Sequence, residues 1–202
     1  MAMKRIIVAG FGGQGVLLIG QMIAYAGMFA DKEVTWMPTY GPEMRGGTAN
    51  CTVCVSDEPI ASPVVAQCDI LVAMNGPSLE KFGPMLAPGG DLYINTTVIK
   101  DKVNRDDVNV YYVDTTEIAE KVVGNGKTSN MVMLGAVLRK SGVVDIEIMD
   151  KVFEYKMTGG KAKLIPANKK ALTACFDTAF EGVSKILCGD IDGAMQICNS
   201  KK

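Results

Sequence analysis

Residues 4–15, KRIIVAGFGGQG, place an apolar run directly before a loop that contains four glycines. The pattern of residues 4–9 predicts a strand that is buried on both faces, as in the centre of a parallel sheet. Residues 16–30 are apolar nearly all round, with Gln21 as the polar exception, which predicts a buried helix. A strand, a glycine turn and a helix in this order begin an α/β unit.

The rest of the chain alternates strands and helices and then ends in helices. Further strands are predicted at 33–37, 48–56, 69–74, 91–95 and 108–113. Further helices are predicted at 77–86, 115–123, 130–140, 145–156 and from about Pro166 onward. This order predicts an α/β fold: a Rossmann-like, open, mostly parallel sheet with helices on both faces and a helical C-terminal third. We expect one domain over 1–187 and a C-terminal tail over 188–202.

Composition and charge exclude several classes of function. The 202 residues carry 21 basic and 22 acidic side chains and no His. A balanced charge leaves no basic stripe for nucleic acid, and the missing His removes the commonest general base and metal ligand. Glycines interrupt the uncharged stretch 6–30, where a signal peptide or a membrane span needs a continuous apolar run. We therefore expect a cytoplasmic protein that binds neither nucleic acid nor membrane and carries no chemistry alone.

Cys51 and Cys54 form a C-x-x-C pair inside the β-prone run TANCTVCV at 48–55. Residues three apart in a strand point to opposite faces, so these two thiols do not converge on one ligand. The other four cysteines show no paired spacing for zinc or an iron–sulfur cluster. We expect structural cysteines and no metal site.

The glycine loop contains the G-x-G-x-x-G pattern of dinucleotide-binding proteins, in Gly10, Gly12, Gly13, Gln14 and Gly15. After a strand and before a helix, such a loop lets the backbone approach a phosphate. NAD binding also needs an acidic residue at the end of the second strand, about 20 residues on. Asp31 and Glu33 stand before that strand or at its start. The loop is therefore interpreted either as a phosphate-binding loop or as a tight turn without a ligand. If it binds a dinucleotide, the alternative function is an autonomous NAD- or FAD-binding oxidoreductase.

A second loop, YGPEMRGG at 40–47, lies between two predicted strands. Loops of this kind carry the binding sites of α/β proteins, and paired glycines admit another molecule close to the backbone. The guanidinium group of Arg45 can donate two parallel hydrogen bonds to a phosphate or a carboxylate. The alternative is a surface turn with a weak ion pair. The candidate partner or ligand residues are Tyr40, Gly41, Pro42, Glu43, Arg45, Gly46, Gly47 and Asn50.

Four segments together resemble the gamma subunit of 2-oxoacid:ferredoxin oxidoreductases. They are GFGGQG at 10–15, WMPTYGPEMRGGTAN at 36–50, SDEPI at 56–60 with Ser62-Pro63, and NMVMLGA at 130–136. The resemblance covers roughly residues 4–185, and its most specific part is the second loop. The stretch 40–50 is more similar to gamma chains of the 2-oxoglutarate and branched-chain (ketoisovalerate) enzymes than to those of the pyruvate enzymes.

The resemblance implies a subunit of a complex that oxidatively decarboxylates a 2-oxoacid to an acyl-CoA and passes electrons to ferredoxin. It implies thiamine diphosphate, Mg²⁺ and iron–sulfur clusters in alpha, beta and delta partner subunits, with no cofactor and no catalytic residue in this chain. Both loops would then face the partner chains, and the glycine loop together with Arg45 could meet a phosphate of the co-substrate CoA.

Overall fold

The computed structural model describes residues 3–41 and 47–174. Its strands are β1 (Lys4–Phe11), β2 (Glu33–Tyr40), β3 (Thr48–Ser56), β4 (Cys68–Ala73), β5 (Leu86–Asn95) and β6 (Asn109–Val113). Its α-helices are α1 (Val16–Phe29), α2 (Gly76–Phe82), α3 (Thr115–Ile118), α4 (Ser129–Ser141), α5 (Met149–Lys156) and α6 (Ile165–Ala174). Short 3₁₀ turns occupy Gly83–Met85, Gly126–Thr128, Ile146–Ile148 and Gly159–Leu164, and a π-helical turn occupies Ala119–Val123.

The six strands form one sheet in the order β2-β3-β1-β4-β5-β6. β1, β4, β5 and β6 pair in parallel, whereas β3 pairs antiparallel with both β1 and β2. β2 therefore runs in the same direction as β1, and β3 is the one reversed strand of this sheet. The predicted open, mostly parallel α/β sheet is confirmed.

Apolar clusters cover both faces of the sheet. Side chains alternate along each strand, so neighbouring residues of one strand belong to different clusters. Ile6 and Val8 of β1 belong to a large apolar cluster with α1, α4, α5 and α6. Ile7 and Ala9 belong to a smaller cluster that α2 and the segment around Ile99 cover. The predicted helices on both faces are present, with the thicker layer built by α1 and the C-terminal helices.

Two strands extend by three or more residues beyond their predicted ends. β2 continues past Pro38 to Tyr40, because it is an edge strand, where a proline costs no ladder hydrogen bond on the open side. β5 begins at Leu86 instead of residue 91 and includes Gly89 at φ +75°. Its pairing with β4 shifts register between Cys68 and Ile70. The first part of β5 is therefore irregular and includes the Pro-Gly-Gly sequence at 88–90.

Four predicted helices also differ from the structure. The segment 77–86 is α2 followed by a 3₁₀ turn, with Leu86 already in β5, and the segment 145–156 begins with a 3₁₀ turn before α5. The segment 115–123 divides into α3 and the π-helical turn that Gly124 ends in a left-handed conformation. The last helix begins at Ile165, one residue before Pro166, and is described to Ala174. Its predicted continuation, the domain end at residue 187 and the tail lie outside the described residues. Within residues 3–41 and 47–174, no helix has the length and apolar character to cross a membrane.

The helices α4 and α6 cross in close backbone contact at Gly135. A Cβ added to this glycine would stand 1.9 Å from the carbonyl oxygen of Leu172. Only the absence of a side chain allows this approach, which buries the apolar face of α6 on α4.

At the amino ends of β1 and β4, Arg5 and Asp69 form a bidentate ion pair. The guanidinium donates from Nε (3.0 Å) and from its terminal nitrogen (2.7 Å), and the Arg5 amide donates to the same carboxylate (2.8 Å). Burial alone would raise the pKa of Asp69, but these hydrogen bonds and the positive charge outweigh it and hold that pKa below its usual value. The pair joins β1 to β4 at the end of these strands opposite the glycine loop.

Candidate functional site

The glycine loop lies at the carboxyl ends of β1 and β4, the two parallel strands at the centre of the sheet. It follows Phe11, and the amide of Met74 continues the pairing beyond β4 by donating to the carbonyl of Ala9 at 2.9 Å. In open α/β sheets, ligands bind in the crevice outside the carboxyl ends of the strands. The predicted loop therefore stands where this architecture places a binding site.

The side chain of Gln14 joins this loop to the end of β4. Its Oε1 accepts from the amide of Phe11 (2.7 Å) and from Nδ2 of Asn75 (3.3 Å), and its Nε2 donates to the carbonyl of Met74 (3.0 Å). Asn75 in turn caps α2, because its Oδ1 accepts from the amide of Ser78 (2.9 Å). Gln14 is thus a structural crosslink, and its amide is already hydrogen-bonded within the protein.

Three glycines of the loop have distinct roles. A Cβ at Gly10 would stand 2.7 Å from Oε1 of Gln14 and 2.8 Å from Cβ of Met74, so Gly10 makes room for the crosslink. Gly13 (φ +101°) is exposed, with open space where a side chain would be. Gly15 (φ +74°) begins α1 in a left-handed conformation. The loop is therefore closed on its inner side and open at Gly13.

The N-terminus of α1 opens at this loop without a side-chain cap. The amide of Ile19 donates to the carbonyl of Gly15 at 3.0 Å, so the amides of residues 16–18 precede the first such hydrogen bond of the helix. The first turn carries no acidic side chain. Free amides and the positive end of the helix dipole together favour an anion.

Cys51 holds the start of α1 against β3. Its Sγ lies 3.7 Å from the carbonyl oxygen of Val16, and a Cβ at Gly20 would stand 2.3 Å from that sulfur. Burial raises the pKa of Cys51 to about 12, so it remains a thiol at neutral pH. Cys54 points to the other face of β3, as the sequence predicts, and both are free, buried cysteines. Cys51 is thus a packing residue.

Asn130, in the first turn of α4, is a site residue that the sequence argument did not select. Its side chain lies against Gly15, because a Cβ there would stand 2.5 Å from Nδ2 of Asn130. The residue is only 9% exposed. The signal in the sequence was its position at the start of the NMVMLGA segment, which carries part of the family resemblance but to which no role was given.

The structure brings the second predicted loop to the first one. The amide of Gly12 donates to the carbonyl of Gly47 at 2.9 Å, and the amide of Gly41 donates to the carbonyl of Thr48 at 2.8 Å. Tyr40 is largely exposed at the end of β2, and Asn50 is half-buried on β3 beside Ala9. Pro42, Glu43, Arg45 and Gly46 lie outside the described residues.

The strand order gives the NAD alternative no support. The fingerprint needs the strand with the ribose-binding acid to follow β1 as its neighbour. Here β3 separates β2 from β1, and Asp31 and Glu33 stand before β2 and at its start, the opposite end of the strand from Tyr40. No acidic side chain occupies the required position among the described residues.

Comparison with known proteins identifies what the chain is similar to. The family model for pyruvate ferredoxin/flavodoxin oxidoreductase matches residues 5–178. The ketoisovalerate oxidoreductase subunit VorA of Methanothermobacter marburgensis is 38% identical over 177 residues, which are 87% of this chain and 36% of that protein. The 2-oxoglutarate synthase subunit KorC of Methanocaldococcus jannaschii is 36% identical over 150 residues, which are 73% of this chain and 80% of that protein.

The same fold occurs in a solved structure. The gamma subunit of a keto/oxoacid ferredoxin oxidoreductase from Geobacter sulfurreducens superposes with a TM-score of 0.74 at 28% identity, over 88% of this chain and 99% of that one. The chain thus spans nearly the whole of one relative and about a third of the length of VorA.

Proposed function

Because the chain belongs to the pyruvate ferredoxin/flavodoxin oxidoreductase family, we propose that it is the gamma subunit of a 2-oxoacid:ferredoxin oxidoreductase. The complex would oxidatively decarboxylate a 2-oxoacid to an acyl-CoA and pass the electrons to ferredoxin. Thiamine diphosphate, Mg²⁺ and the iron–sulfur clusters would reside in alpha, beta and delta subunits, which carry the reactive chemistry. The 2-oxoacid would be selected mainly by those partners.

One observation carries the proposal for this chain's own part: the hydrogen bond between Gly12 and Gly47 joins its two candidate loops into one surface. The described polar side chains around the glycine loop include the amides of Gln14, Asn75 and Asn130. Amides and backbone N–H groups bind and orient, whereas general acid–base catalysis needs a titratable group. The chain would therefore supply a binding surface at which partner subunits complete the active site.

The residues at this surface fit a phosphate group of CoA. The uncapped N-terminus of α1 offers backbone amides, and the open space at Gly13 gives access to them. Arg45, two positions before Gly47 in the sequence, would add the cation that a phosphate ester favours. In this proposal the chain holds the nucleotide end of CoA and leaves its thiol to the chemistry in the partner subunits.

Affinity purification of the tagged chain from its native host tests the assignment. We expect thiamine-diphosphate-binding and iron–sulfur-containing chains to co-purify, and the complex to reduce ferredoxin or a viologen dye with a 2-oxoacid and CoA. The separated chain is expected to be colourless and inactive. Turnover by the chain alone, or a flavin bound to it, would refute the proposal.

Arg45→Ala tests the ligand role of the second loop, with Lys102→Ala as the control because Lys102 is an exposed cation elsewhere. We expect Arg45→Ala to raise the KM for CoA and to leave the melting temperature of the assembled complex unchanged. The control should change neither. A lowered melting temperature of the separated Arg45→Ala chain would instead make Arg45 a structural residue.

A further inference from the structure

Four asparagines of the described chain are buried, and three of them have clear hydrogen-bond partners. Asn75 accepts from the amide of Ser78 (2.9 Å), Asn95 accepts from Oγ1 of Thr115 (2.9 Å), and Asn168 donates to the sulfur of Met157 (3.4 Å). Asn130 is 91% buried by the same measure and has no hydrogen bond to any described residue. The amide of Asn130 is not among the fully buried, unpartnered side-chain groups of the described chain, so it is open to a partner from outside the chain.

The surroundings of Asn130 indicate what that partner is. Its Nδ2 would stand 2.5 Å from a Cβ added at Gly15, the residue from which α1 begins. Neither α1 nor α4 has an acidic residue in its first turn, so no carboxylate of these turns occupies the place of an anion. The amide of Asn130 thus lies at Gly15, the residue directly before the first turn of α1 and its free amides.

We propose that Asn130 is the side-chain ligand of a phosphate-ester oxyanion held at the N-terminus of α1. The inference rests on the proposed function, in which that ligand is the diphosphate of CoA. A tetrahedral phosphate presents oxygens in several directions and so bridges the amides of α1 and the amide of Asn130 at once. Because the side chain of Asn130 is neutral, it would bind the phosphate through hydrogen bonds and not through an ion pair.

The first test measures the steady-state kinetics of the assembled complex with Asn130→Asp. This change keeps the shape and replaces the NH₂ donor by an acceptor oxygen with a negative charge. Loss of a hydrogen bond to a charged group corresponds to about a 10- to 100-fold rise in the KM for CoA. With pantetheine, which has the thiol but no phosphate, we expect no change. Asn104→Asp, the same change at an exposed position, is the control.

The second test uses Asn130→Ala and thermal melting of the assembled complex. Removing an amide that lacks a protein partner should leave the melting temperature without ligand nearly unchanged. CoA and pyrophosphate should each raise the melting temperature of the wild-type complex, and this rise should shrink in the variant. A rise with pyrophosphate but not with CoA would assign the site to free diphosphate and would overturn the CoA part of the inference.

The outcomes separate this inference from the function on which it rests. If both Asn130 variants assemble, turn over and keep the wild-type KM for CoA, Asn130 is a packing residue and the inference is wrong, while the proposed function stands. The same holds if Asn130→Ala lowers the melting temperature without ligand and leaves the ligand-induced rise intact. If the wild-type chain does not assemble with partner subunits, the proposed function itself fails.

Discussion

The amide of Gly12 donates to the carbonyl of Gly47 at 2.9 Å and so ties the loop after β1 to the connection between β2 and β3. β3 pairs antiparallel with β1, with Phe11 opposite Thr48, and this register brings the two loops to the same edge of the sheet. The shared hydrogen bond holds Gly12 and Gly47 together at this end of the two strands. The described parts of the two loops therefore form one continuous surface.

The crosslink of Gln14 predicts a loss of stability in Gln14→Glu. The carboxylate can still accept from the amide of Phe11, but it cannot donate to the carbonyl of Met74, 3.0 Å from Nε2. An unsatisfied group at this partly buried position should lower the free energy of unfolding by about 1–3 kcal/mol. Urea denaturation measures this loss. Gln67→Glu, at an exposed position, should have little effect, and equal losses in both variants would contradict the crosslink.

The contact between α4 and α6 predicts that Gly135→Ala is destabilising, although alanine favours helix by up to about 1 kcal/mol over glycine. The new Cβ would meet the backbone oxygen of Leu172 at 1.9 Å, and backbone can move aside only if the two helices separate. Such overpacking costs about 1–3 kcal/mol or more, so the clash outweighs the propensity. Gly76→Ala, where a Cβ meets nothing within 4 Å, should be neutral or stabilising in the same melting experiment. A Gly135→Ala chain as stable as the wild type would show that the helices do not cross so closely.

The pair of Arg5 and Asp69 predicts how stability falls in acid. The pKa of Asp69 is lowered in the folded chain, so its contribution is fully present above the pKa of the unfolded chain, near 3.8. It is lost as the pH falls from there through the lowered folded value. We expect Asp69→Asn to be less stable than the wild type at pH 7, and the two to converge as the pH falls below the lowered folded pKa of Asp69.

Denaturant titrations from pH 7 to pH 2.5 measure this convergence. Asp101→Asn, which neutralises an exposed carboxylate, is the control and should run nearly parallel to the wild type. A constant difference between wild type and Asp69→Asn over the whole range would show that Asp69 acts through packing and not through its charge.

Burial predicts that Cys51 and Cys68 resist alkylation in the folded chain. Burial raises the pKa of both thiols to about 12, so at pH 8 they are protonated as well as inaccessible. Treatment with iodoacetamide followed by peptide mass mapping should leave both unmodified, and addition of denaturant should expose them. Rapid modification of Cys51 without denaturant would show that the start of α1 separates readily from β3.

Local patterns predicted the helices and strands because each depends on neighbours a few residues away. The apolar run of residues 4–9, the glycine loop and the uncharged helix after it predicted β1 and α1 to within two residues at each end. The same local rule failed at Pro38, because an edge position, which only the pairing of the sheet defines, lets the strand continue to Tyr40.

The sequence by itself determined the α/β class, the positions of the two glycine-containing loops and the absence of His, since composition and short-range periodicity carry that information. Only the tertiary structure decided that β3 inserts antiparallel between β1 and β2, that Gly12 meets Gly47, and that Asn130 lies on Gly15. These contacts join residues far apart in the chain. They arise from the packing of whole strands and helices around a shared core, which no local pattern encodes.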